Sequence, residues 1–142
     1  MIDLTNEGTI LKTARTIAVL GVKPDPDEVS NEIFRFLMDK GYQVVGVNPR
    51  VAGTRIQGRP VYATLADIPH PVDIVDIFRA PAHLPGHVPD LLSMTPRPPV
   101  VWFQQGIRND AVAETLTREG IHVIQDYCIL VAHSVNRHII NS

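Results

Sequence analysis

Thr16-Ile17-Ala18-Val19-Leu20-Gly21 is the stretch that decides the fold. An unbroken apolar run of this length offers no face to water, so it reads as a strand buried on both sides, and the closing glycine lets the chain turn sharply away. Strands of that kind occur in parallel sheets covered by helices. The rest of the chain is therefore read for strands and helices in alternation.

Downstream, a Pro- and Asp-rich loop (Lys23-Pro24-Asp25-Pro26-Asp27) precedes Ile33, Phe34, Leu37 and Met38 at helical spacing, with Gly41 as a stop. The pattern predicts a helix over roughly Glu28 to Lys40. Tyr42 to Val47 is a second strand, closed by Asn48-Pro49, where the proline would break a ladder and holds Asn48 extended. A loop with Gly53 and Gly58 leads through Val61-Tyr62 to a short turn at Thr64 to Pro69. The third strand is Val72-Asp73-Ile74-Val75-Asp76-Ile77-Phe78. His83 to Met94 is a weaker helix, since Pro85 is tolerable only in its first turn and Gly86 and Pro89 follow. Val100 to Phe103 is a fourth strand; Asn109 caps a helix carrying Val112, Ala113 and Leu116 that ends at Gly120. Ile121 to Ile124 is a fifth strand and Cys128 to Arg137 a closing helix. The expected fold is thus α/β: a Rossmann-like, doubly wound parallel sheet of five strands, order 3-2-1-4-5, forming a single domain over residues 1–142.

Composition narrows the function. A chain of 142 residues fits one core, and its 44% hydrophobic and 20% charged residues are ordinary for a globular domain. The formal net charge of −2 gives no global attraction to nucleic acid or to an anionic membrane. With one cysteine, Cys128, there is no internal disulfide, no paired-thiolate zinc site and no CxxC motif. The early acidic residue and the lack of a basic stretch before an apolar block argue against a signal peptide, and no apolar run approaches the ~18 residues that span a bilayer. A soluble, cytoplasmic protein is expected.

Ligands of such sheets bind outside the carboxyl ends of the strands, near the switch point between strands one and four. The loops there are Gly21-Val22-Lys23-Pro24, Asn48-Pro49-Arg50, Phe78-Arg79-Ala80-Pro81, Gln104-Gln105-Gly106-Ile107 and Asp126-Tyr127-Cys128. Gly21 followed by a helix presents unpaired amides and a positive dipole end to an anion, although the segment is not GxGxxG. After strand two, Arg50, Arg55 and Arg59 stand where an NAD-specific fold places an acid, which suits a phosphorylated adenosine better; each arginine could equally be a solvated loop residue. Lys23 and Arg79 could pair with pyrophosphate oxygens. His83 and His87 have metal-ligand spacing, but Pro85 and Gly86 lie between them and no third ligand is evident, so no metal is expected. Asp73 and Asp76 sit in strand three, where at most one would face a cleft. Cys128, at the start of the last helix, is either a small apolar filler or a thiol activated by the helix dipole.

Five segments in order resemble the small stand-alone CoA-binding proteins, which look like the CoA-binding domain of succinyl-CoA synthetase's α subunit. They are Ile17 to Gly21, Gly41 to Pro49, Tyr62 to Pro69, Val72 to Arg79 and Val101 to Ile107, with Asp126-Tyr127-Cys128 matching the family's last motif. The resemblance implies a site for coenzyme A or an acyl-CoA lined by Gly21, Val22, Lys23, Ser30, Asn48, Pro49, Arg50, Phe78, Arg79, Pro81, Gln105, Gly106 and Ile107. It departs in one place: the family commonly has a serine shortly after the first glycine, where Lys23 stands here. Larger relatives carry a phosphohistidine domain and a nucleotide-grasp domain that this chain lacks, so the expectation is binding without catalysis, as a homodimer or a partner subunit. The alternatives are a small NADP-dependent oxidoreductase, with Tyr127 or His133 as its proton donor, and a redox enzyme acting through Cys128.

Overall fold

The computed structural model describes all 142 residues. Seven strands, β1 (Thr16–Leu20), β2 (Gln43–Val47), β3 (Arg55–Ile56), β4 (Arg59–Tyr62), β5 (Ile74–Ile77), β6 (Val100–Phe103) and β7 (His122–Ile124), form one sheet in the order β3-β4-β2-β1-β5-β6-β7. All neighbours pair in parallel except β3 and β4, which form an antiparallel hairpin at one edge. Six helices accompany them: α1 (Glu7–Thr13), α2 (Val29–Asp39), α3 (Leu84–Ser93), α4 (Asp110–Arg118), α5 (Ile129–Val135) and α6 (Arg137–Ile140).

The expected five-strand sheet in the order 3-2-1-4-5 needs correction on both counts. The loop after β2 holds two further strands, and β4 occupies the place beside β2 that the sequence reading gives to Val72–Phe78. That segment, as β5, instead lies against the other side of β1, with Ile17 opposite Ile74 and Leu20 opposite Ile77. The physical reason is length: β4 joins β2 through only Gly46–Val61 and Val47–Tyr62, and Pro60 faces the hairpin, so its sequence carries almost no strand signal. Counting parallel strands alone, the order becomes 3-2-1-4-5-6, and the switch point falls between β1 and β5, the strand at Ile74–Ile77, and not between β1 and Val100–Phe103 as expected.

Two buried clusters sandwich the sheet, as the apolar strands require. Ile17, Val19, Ile74, Val100 and Trp102 face α1, α2 and α5, while Ala18, Leu20, Val75, Ile77, Val101 and Phe103 face α3 and α4. The amphipathic spacing read for α2 buries Ile33, Phe34 and Leu37 against the first face. Asn109 caps α4, its side chain accepting from the Val112 amide at 3.1 Å. The sequence reading misses α1, whose capping box joins Asn6 to Thr9, with the Thr9 amide donating to the Asn6 side chain at 2.9 Å and the Asn6 amide to Thr9 Oγ1 at 3.1 Å. No helix is long and apolar enough to cross a membrane.

Candidate functional site

β1, β5 and β6 all end at the same level, and the turns that leave them determine the site. Gly21 has φ +89° and donates its amide to the Val47 carbonyl at 2.8 Å. A methyl group here would stand 2.4 Å from the Phe78 carbonyl oxygen, so only glycine lets the two turns touch. The chain then dips: Val22 is fully buried and fits against Gly46, where a Cβ would come within 2.8 Å of its side chain. Lys23 resurfaces with its amide donating to Ser30 Oγ at 3.0 Å, which fastens the loop to the first turn of α2. Asn31 completes the fastening by donating to the carbonyls of Lys23 and Pro24 at 2.9 and 3.2 Å.

These turns enclose a cleft of about 700 Å3 lined by Gly21, Lys23, Glu28, Val29, Ser30, Phe78, Arg79, Ala80, Pro81, Gln104, Gln105, Gly106, Ile107 and Cys128. Its volume lies within the usual range of small-molecule sites, roughly 300 to 1,000 Å3. Nine of the predicted contact residues share it: Gly21, Lys23, Ser30, Phe78, Arg79, Pro81, Gln105, Gly106 and Ile107. Val22 lies beneath, and Asn48, Pro49 and Arg50 are not among its lining residues. Asn48 uses both ends of its amide at home, donating to the Val22 carbonyl at 2.8 Å and accepting from the Arg50 amide at 3.0 Å. Arg55 and Arg59, read as phosphate candidates, donate instead to the carbonyls of Gly58 and Val44 at 2.8 and 3.0 Å.

Glu28 and Val29 have no place in the predicted contact set, and Ala80, Gln104 and Cys128 stand in the right loops but outside it. The helix that begins within a few residues of a strand-ending glycine is the signal that could have added the first two.

The walls differ in charge. On the β1 and β5 side, the amides of Val29 and Ser30 at the start of α2 donate to nothing within the protein. Lys23, whose Nζ is 3.7 Å from Glu28, and half-buried Arg79 flank them. On the β6 side two amides are occupied: Gly106 donates to Asp126 Oδ1 at 2.7 Å, and Ile129, first in α5, to Gln104 Oε1 at 3.0 Å. Trp102 Nε1 donates to the Tyr127 carbonyl at 2.7 Å, so the Tyr127-Cys128 turn is held to the floor of the sheet. One layer below the cleft, on the same sheet face as Phe78, Asp76 sits between Val19 and Trp102 with both carboxylate oxygens buried and without partners. Burial pushes its carboxyl well above the usual carboxylate range.

Free amides at a helix start, two cations and a glycine-permitted close approach make one wall of the cleft a seat for an anion with several oxygens. The apolar parts of Phe78, Pro81 and Ile107 offer contact to a longer, less polar body.

The chain is similar to the YneT protein of Bacillus subtilis (strain 168), with 36% identity over 128 residues that cover 90% of this chain and 92% of that one. Among solved structures, cell-free ID.343 from Thermus thermophilus superposes with a TM-score of 0.87 at 39% identity, over 93% of this chain and 99% of that one. A hypothetical protein from Pyrococcus horikoshii OT3 gives 0.85 at 27% identity, over 92% and 89%. The family of the CoA binding domain matches residues 15–134, which span every parallel strand and the whole lining of the cleft. On that match the chain belongs to the CoA binding domain family.

Proposed function

We propose that the cleft at the ends of β1, β5 and β6 binds coenzyme A or an acyl-CoA and does so without converting it. The observation that carries this reading is the convergence on one wall of Gly21, the free amides of α2, Lys23 and Arg79, a set suited to the pyrophosphate of a nucleotide. The absence of catalysis is supported by how the lining's reactive groups are disposed. Glu28 faces Lys23, and Cys128 has no imidazole among the residues that share the cleft. An NADP reading would draw on Arg50, Arg55 and Arg59, none of which lines the cleft.

Thermal unfolding in the presence of CoA, acetyl-CoA, NAD and NADP tests the proposal. CoA at about 100 times its Kd adds about 2.7 kcal/mol of stability to a protein that binds it only when folded. NAD and NADP are expected to add none. Arg79→Ala is expected to weaken CoA by about ten- to a hundredfold, the scale of a lost charge-assisted phosphate contact. A Tm raised by NADP and unmoved by CoA would overturn the reading.

A further inference from the structure

Arg79 is held by a base and not by an acid. Its Nε donates to Nε2 of His87 at 3.3 Å, from the turn after β5 to the first half of α3. No carboxylate lies within ion-pair distance of it, and its two terminal NH2 groups have no partner in the protein. An imidazole that accepts on Nε2 carries its proton on Nδ1 and is neutral. We propose that His87 is a positioning residue for Arg79: the neutral ring fixes Nε so that the remaining guanidinium donors face the cleft, and protonation of the ring releases the arm and weakens anion binding. The identity of the anion rests on the CoA reading; the coupling between the two side chains does not.

The surroundings keep the ring in its accepting form. Burial holds His87 below the ordinary histidine value, with the Arg79 charge and then His83 pushing the same way and Asp90 opposing them. Asp90 is fixed elsewhere, its carboxylate accepting from the amides of Leu65 and Ala66 at 3.0 and 3.3 Å. The turn at Leu65–Asp67, which carries Asp67, and α4, which carries Asp110, Glu114 and Arg118, also pack against α3, and the charges that shift the ring are those of Arg79, Asp90 and His83. When a proton reaches Nε2 the acceptor is gone and two cations stand within hydrogen-bond distance, which separates them. The spacing of His83 and His87, read from sequence as a failed metal pair, thus has a different content: His87 bonds a residue of the cleft lining, and that partner is an arginine.

The experiment compares CoA affinity of wild type, His87→Gln and His87→Ala by calorimetry at about pH 8 and at about one pH unit below the His87 midpoint that NMR gives for the free protein, since that midpoint lies below the ordinary histidine value. Glutamine keeps an acceptor oxygen near the place of Nε2 and does not titrate, so phosphate ionisation on the ligand cancels in the ratio. The wild-type and His87→Gln dissociation constants are expected to agree at the higher pH, and wild type to become about fivefold weaker at the lower. His87→Ala should be about fivefold weaker than wild type at pH 8, with the unfolding temperature of the free protein unchanged in both variants. A ratio that does not move with pH overturns the proposal. So does wild type binding more tightly than His87→Gln at low pH, which would make the ring a direct ligand of the anion. A measurement without ligand separates this from the CoA reading: by NMR, the His87 ring of the free protein should titrate at higher pH in Arg79→Gln than in wild type. An unshifted midpoint sinks the pairing even if CoA binds, and a shifted one supports it even if CoA does not.

Discussion

The turns that leave β2 and β5 look alike on paper. Each ends a buried strand, contains a proline and supplies an arginine, Asn48-Pro49-Arg50 in one and Phe78-Arg79-Ala80-Pro81 in the other. In space they do opposite things. The first is closed by the Arg50 amide bond to Asn48 and tied by the Asn48 amide to the Val22 carbonyl in the turn after β1, leaving Arg50 exposed and outside the cleft. The second touches Gly21, brings Phe78, Arg79 and Pro81 into the lining and leaves the outer guanidinium donors free. A polar residue at a strand end is available to a ligand only if the fold has not already engaged its donors and acceptors, and sequence records the residue but not the engagement.

The largest effect that bears on this contrast should come from Gly21→Ala. It forces a side chain into φ +89° and against a backbone oxygen at 2.4 Å, so a loss of about 3 kcal/mol or more in unfolding free energy is expected by denaturant titration. A loss under about 1 kcal/mol would mean that the two turns are not locked together.

The strand feeding the second turn carries a further liability in Asp76. Its folded-state pKa is raised, so the unfolded chain releases this proton at lower pH than the folded one does. Stability from this group is full below the ordinary carboxylate pKa and is lost as pH rises toward the raised folded value, by up to about 1.4 kcal/mol per pH unit. Asp76→Asn should remove that part of the pH slope. Parallel wild-type and variant slopes between about pH 4 and pH 7 would show that the carboxyl is hydrated.

Smaller changes test the first turn. Asn48→Ala should cost about 1 to 2 kcal/mol of stability, since it leaves the Val22 carbonyl and the Arg50 amide unpaired, with CoA affinity nearly kept. Arg50→Ala should change stability by less than about 0.5 kcal/mol and CoA affinity by less than about twofold. A tenfold loss of affinity in Arg50→Ala would abolish the contrast by bringing that turn to the ligand.

The parts of the fold legible in sequence are those where local composition and tertiary role coincide. β1 and β6 are apolar runs, and β5 is one but for Asp76, because both faces are covered, and Asn109 announces α4 because a cap is a local device. β4 is not legible: Arg59-Pro60-Val61-Tyr62 is short, polar and proline-bearing, and pairing with β2 alone makes it a strand. Missing it displaced β5 in the expected sheet order, while leaving the level of the cleft correct, since that level depends on where parallel strands end. The same limit applies within the site. Gly21, Arg79 and Gly106 follow from strand ends, whereas Glu28 and Val29 reach the cleft only through the packing of α2.

The bonds that Asp126 and Gln104 make to the amides of Gly106 and Ile129 have a directional consequence. They occupy two amides of one bank of the cleft and add a carboxylate near it, while the opposite bank carries both cations of the lining, Lys23 and Arg79. Any guest with charge at one end and little at the other therefore meets a receptacle with a head and a tail, and inverting it would set anion against oxygen.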